Sequence, residues 1–147
     1  MKRWSKLQEQ IYNLLLPELE LQIHCAAYPM RSQYGSTDLG RYWITLGREI
    51  IWDYPKDFAG AKRKYPYTTD IAAISELVRE YVDTPVEALL RKRFDQDLWG
   101  LTAILKAADR RLGRERLTLV LGDEESEAAR RVLARRAVTD APQPQSS

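Results

Sequence analysis

A chain of 147 residues, 44% hydrophobic and 30% charged, has the length and composition of one globular domain. No stretch approaches the roughly eighteen apolar residues of a membrane span, and a net charge of +2 is too small to steer the whole molecule toward nucleic acid or an anionic surface. A single cysteine, Cys25, and a single histidine, His24, leave no internal disulfide and no zinc-ligand spacing, so neither a metal nor a cofactor is expected.

The residues following Met1-Lys2-Arg3-Trp4 turn polar at Gln8, Glu9 and Gln10, without the apolar core of a signal peptide, and a cytoplasmic location is expected. Ser5 and Gln8 have the spacing of a capping box, and Leu7, Ile11, Leu14 and Leu15 recur at helical spacing until Pro17. They predict a helix over 5–16. From Leu19 to Ala27 the period becomes two, with Leu21, Ile23 and Cys25 on one face and Gln22 and His24 on the other, as in a half-buried strand.

Residues 29–40 then read as a long connection, rich in hydroxyls and amides and longer than most hairpin loops. Beyond it, 41–46 and 49–54 are β-rich around Gly47-Arg48, which suits a type II′ turn. A regular ladder across that turn sets Leu46 opposite Glu49 and Trp43 opposite Trp52, placing both indoles in contact on one face.

Pro55, Gly60 and Pro66 mark a loop over 55–69, followed by a helical stripe at Ile71, Ile74, Val78 and Tyr81. Thr84-Pro85-Val86-Glu87 supplies the cap of a further helix, and Asp97 that of one running through Leu101, Leu105 and Leu112 to Gly113. Leu117 to Leu121 suits a helical turn or a strand, and helix is favoured. Residues 123–136 predict a surface helix with acids first and arginines last, and the polar, proline-rich tail 141–147 is expected to be disordered. The fold class expected is α+β, one domain over 1–140: a three-stranded antiparallel sheet with one N-terminal helix and about four C-terminal helices.

No residue is assigned a catalytic role. His24 and Cys25, as strand neighbours, point to opposite faces and cannot act as base and nucleophile. Glu49 and Asp53 share a face in a regular strand but lie about 13 Å apart along it, too far for a carboxylate pair. A small hydrolase-like enzyme is therefore the least supported reading.

The leading expectation is a non-enzymatic binding or accessory protein. Arg31, Ser32, Gln33, Tyr34, Ser36, Thr37 and Asp38 in the long connection, with Trp43 and Trp52 beside it, would meet a protein partner or a second copy in a homodimer. The alternative is nucleic-acid binding through Arg110, Arg111, Arg114, Arg130, Arg131 and Arg135, since eight arginines face five acids between 110 and 136. No contact with a membrane is expected.

Several segments carry a resemblance beyond these patterns. Arg3-Trp4-Ser5-Lys6-Leu7-Gln8, Gln22-Ile23-His24-Cys25, Ser32-Gln33-Tyr34-Gly35-Ser36-Thr37-Asp38, Arg41-Tyr42-Trp43-Ile44-Thr45-Leu46, Glu49-Ile50-Ile51-Trp52-Asp53-Tyr54-Pro55 and Ala107-Ala108-Asp109-Arg110-Arg111-Leu112-Gly113 together resemble a family of small uncharacterised bacterial cytoplasmic proteins with no assigned function. The resemblance spans 3–136 and implies a bacterial, cytoplasmic setting and a single unit of sheet and helices. It supplies no site residue. Gly40 stands where the family usually has proline, which loosens the end of the long connection.

Overall fold

In a computed structural model we describe residues 4–32, 35–54, 71–89, 91–92, 94, 100–113, 115–117 and 126–140, without the side chains of residues 4, 27–32, 35–39, 71–73 and 139–140. Helix α1 spans Trp4–Tyr12 and buries Leu7 and Ile11, four residues apart on one stripe. Ser5 already lies inside the helix, so the expected capping box does not start it. Gln8 instead sends its amide N–H across to the Ile23 carbonyl at 2.7 Å.

The helix also ends earlier than its apolar pattern suggests. The backbone of 14–16 turns away to pair with 108–110: Leu16 N–H donates to Ala108 C=O at 2.9 Å and Arg110 N–H to Leu14 C=O at 2.8 Å. Leu15 is still buried, but through this bridge to Asp109 and not through helical stacking. A 3₁₀ turn, Pro17–Leu19, closes on Glu20 in the left-handed region at φ 54°. Leu19 therefore belongs to this turn and not to the strand.

The sheet is antiparallel in the order β1 (Leu21–Ser32), β2 (Gly35–Leu46), β3 (Glu49–Tyr54). Strands β1 and β2 pair over their full length, from Leu21↔Leu46 to Ser32↔Gly35. The expected long connection over 29–40 is thereby corrected: residues 29–32 and 35–40 form the far end of a hairpin. Gln33 and Tyr34 lie outside the described residues. Between β2 and β3, Gly47 has φ 62° while Arg48 does not have a positive φ, as the expected type II′ turn requires.

The register beyond that turn differs from the expectation. Leu46 faces Glu49 and Thr45 faces Ile50, but Ile44 then faces Trp52 and Trp43 faces Asp53, so Ile51 is an extra residue in a β-bulge. One added residue inverts the faces of all that follows on β3. Trp52 turns inward and is buried beside Tyr54, Tyr42 and Ile44, whereas Trp43 stays on the outer face. The two indoles do not meet, and Glu49 and Asp53 no longer share a face.

Helix α2 (Ile71–Asp83) buries Ile74, Leu77, Val78 and Tyr81 in the core, and its Ser75 hydroxyl is hydrogen-bonded to Tyr42 on the inner sheet face. Thr84 does not cap the short helix α3 (Val86–Leu89). Its hydroxyl donates back to the Glu80 carbonyl at 2.6 Å, closing α2. Helix α4 (Leu101–Ala108) follows Gly100, which has φ 78°, and stops at Asp109 instead of Gly113. Asp97, the expected cap, lies outside the described residues, as do 55–69, 118–121 and the tail 141–147.

Leu117 is helical, with Glu115 and Arg116 before it. Helix α5 (Glu127–Asp140) packs Ala128, Ala129 and Val132 inward. It begins four residues later than the span expected from the acids and extends four residues further. The architecture is α+β: α2 meets β2 and α5 meets β3, while α1 packs on α2 and α4 on α5. None of the described helices is long and apolar enough to cross a membrane.

Candidate binding surface

Edge strands expose unpaired backbone groups, and among the described strands β1 is such an edge. At Ile23 the outward groups are satisfied by α1: its N–H donates to the Tyr12 hydroxyl at 2.8 Å and its C=O accepts from Gln8. Since Ile23 points its backbone away from β2, every second residue along a regular strand does likewise, and the next such positions are Cys25, Ala27, Pro29 and Arg31. Pro29 therefore lacks an N–H on the side where no ladder bond is needed.

Among the described residues, β3 pairs with β2 as far as Tyr42↔Tyr54, while the β1–β2 ladder continues to Ser32↔Gly35. Residues 26–32 and 35–41 thus carry the β1–β2 ladder about 20 Å past the Tyr42↔Tyr54 pair, at roughly 3.3 Å per residue. Five of the residues expected to bind sit on this extension, with Arg31 opposite Ser36, Met30 opposite Thr37 and Pro29 opposite Asp38.

At the base of the extension the outer face carries a compact polar and aromatic group. His24 lies opposite Trp43, and their rings stack at 4.9 Å with planes 16° apart. His24 Nε2 is hydrogen-bonded to Thr45 Oγ1 at 2.9 Å. Arg41, two residues from Trp43 on the same face, holds its guanidinium 4.5 Å from the indole centroid. The same guanidinium makes two parallel bonds to Asp53, Nε to Oδ1 at 2.8 Å and Nη2 to Oδ2 at 2.6 Å.

The bulge at Ile51 brings Asp53 opposite Trp43 and within this reach. Partial burial, and then the nearby Arg41 charge, lower the His24 pKa, so the imidazole is held neutral against the indole. His24, Arg41, Trp43, Thr45 and Asp53 each keep part of their surface exposed. The set is suited to present an amphipathic, rigid contact: a flat indole for apolar area, and fixed donors and acceptors around it.

Of the residues expected to bind, Trp43 stands in this surface and Trp52 does not, being part of the core. His24, Arg41, Thr45 and Asp53 were missed. The alternation Arg41, Trp43, Thr45 signals one shared face, but joining Asp53 to it required knowledge of the bulge. Cys25 lies on the other face from His24, as the strand period requires, and burial pushes its thiol pKa up, away from an activated thiolate.

The arginines of the alternative reading are dispersed in role. Arg111 clasps the fully buried Asp109, with Nη2 to Oδ2 at 2.8 Å, and its own backbone N–H donates to Oδ1 at 2.9 Å. Arg131 pairs with Glu49 and Glu127, Arg135 lies 3.7 Å from Glu20, and Arg110 donates to the Asn13 carbonyl. Arg130 is exposed, and Arg114 lies outside the described residues. Arg136, expected on a surface helix, is buried instead.

No curated protein and no solved structure is significantly similar to the chain. Residues 3–73, which contain α1, the described sheet and the binding surface, match the SF0329 protein family.

Proposed function

We propose that this is a non-enzymatic binding or accessory protein, working in the cytoplasm, which receives a protein partner on the outer face of its sheet and along the extended β1–β2 hairpin. The observation that carries this reading is Trp43, a partly exposed indole braced by His24 and by an Arg41 that is itself fixed by Asp53. A tryptophan whose neighbours already hold it in place loses little freedom on contact, which favours its use as an anchor.

Nucleic-acid binding has weaker support, because Arg111, Arg131 and Arg135 already face carboxylates of the same chain. The test compares wild type with Trp43→Ala and with Arg41→Gln/Asp53→Asn. Immobilised protein is used to capture partners, and sedimentation follows self-association. Loss of a specific partner or of a dimer in both variants, with the fold intact by circular dichroism, is expected. Unchanged capture and unchanged sedimentation would refute the assignment of this face.

A further inference from the structure

The helices are held in different ways. Helix α2 buries Ile74, Leu77, Val78 and Tyr81, and α4 buries seven of its residues, whereas among the described side chains of α5 those buried are Ala128, Ala129, Val132 and the charged Arg136. Two alanines and a valine, with Leu133 only partly buried against the core, remove less apolar surface from water than the large side chains of α2, so α5 gains less from the hydrophobic effect than its 14-residue length suggests. Its attachments are polar. Arg136 sends Nη1 to the carbonyls of Ala107 at 2.9 Å and Asp109 at 3.0 Å, and Nη2 to the carbonyl of Leu112.

These acceptors include the end of α4, where helical carbonyls lack partners of their own, so one guanidinium closes that end. Two further contacts tie α5 to the sheet side: Arg131 to Glu49 on β3, and Arg135 to Glu20 beside the β2–β3 turn. Both arginine side chains are 43% exposed, which makes these pairs weak and sensitive to salt.

We propose that α5 is a strap latched by Arg136, which opens from α4 as a unit while the sheet, α1 and α2 stay folded. Units held by few apolar contacts open below the free energy of global unfolding. The open state uncovers a surface of α4, whose residues other than Lys106 are buried in the closed form. The opening is independent of the binding face proposed above.

Amide hydrogen exchange on the full chain tests this. Residues 131–136 are expected to exchange together, at least about tenfold faster than residues 77–81 of α2. Raising NaCl from about 0.05 to about 0.5 M should accelerate α5 several-fold and leave α2 unchanged. Arg136→Met, which keeps the apolar stem, should accelerate α5 by about tenfold or more without moving α2. Should that variant fail to fold, Arg131→Gln/Arg135→Gln decides: exchange should rise in α5 alone and lose its response to salt. Equal protection of α2 and α5 in the wild type, or equal acceleration of both by the variant that folds, would overturn the proposal.

Discussion

Replacing Asp109 by asparagine tests whether the buried carboxylate joins the two halves of the molecule. Asp109 is fully buried at the end of α4, where it accepts from the Tyr81 hydroxyl at 2.7 Å, the Arg111 backbone N–H and the Arg111 guanidinium. Burial, and next the Asp109 charge, raise the Tyr81 pKa well above its ordinary value, so the phenol remains a donor. Arg111 in turn has its pKa raised, first by its bonds to Asp109.

The Asp109→Asn substitution keeps the volume but loses the charge and turns an N–H₂ toward donors. An unsatisfied buried hydroxyl costs about 1–3 kcal/mol, and weakening a charge-assisted backbone bond about 1–2 kcal/mol more. The Arg111 side chain is 21% exposed, so its guanidinium rehydrates in part and adds less than a fully buried partner would. A loss of about 3 kcal/mol is expected, or a fall in Tm of about 6–12 °C at roughly 2–4 °C per kcal/mol for a chain of this size. Urea titration followed by far-UV circular dichroism measures it. Tyr81→Phe alone should cost about 1–2 kcal/mol, and the double variant should cost less than the sum, because the two groups share one bond. An Asp109→Asn protein within about 0.5 kcal/mol of wild type would show that the network is not stabilising.

The bulge at Ile51 makes the two sheet tryptophans unequal. Trp52→Ala should cost about 3–5 kcal/mol as a core truncation, and Trp43→Ala about 1 kcal/mol or less because Trp43 lies partly exposed on the outer face. Equal losses in denaturant titrations would favour the regular register over the bulged one. The stacked His24 and Trp43 give a pH prediction. A histidine whose folded pKa lies below the unfolded value of 6.5 is protonated more readily in the unfolded chain, so its contribution to stability is present above pH 6.5 and is lost as pH falls through that value toward the folded pKa. Trp43 fluorescence should step with a midpoint below 6.5, and the step should vanish in His24→Gln. A midpoint above 6.5 would contradict the desolvated, Arg41-flanked site.

Periodicity made much of this fold legible. Leu7 and Ile11, Leu21 and Ile23, and Ile74 and Tyr81 are buried on the faces that their spacing assigns them. Helix ends were less legible, because they depend on distant partners. Helix α1 stops where 14–16 pair with 108–110, and α4 stops where Asp109 turns inward to Tyr81. Ser5 and Thr84 both carry cap-like spacing, but a capping box describes only local bonds. Gln8 found a better acceptor on β1, and Thr84 donates to the helix behind it. Arg136 looked like a solvated charge for the same reason: its acceptors are carbonyls at least 24 residues away.

The hairpin misread as a loop shows where composition and geometry separate. Pro29, Ser32, Gly35, Ser36 and Gly40 are all residues that favour turns, and together they outweigh the β-formers around them. Propensity, however, scores a proline by its missing N–H without asking which way that N–H would point. Ile23 directs its backbone groups away from β2 to Tyr12 and Gln8, and Pro29 follows six residues later, an even separation. On a regular strand its nitrogen therefore faces outward, and the ladder loses nothing there. The same placement removes one donor from the outer edge, as the Gln8 and Tyr12 side chains cover the groups of Ile23. A proline that reads as a break is thus compatible with the strand and blunts its edge against unspecific pairing. Specific contacts are left to the face that carries Trp43.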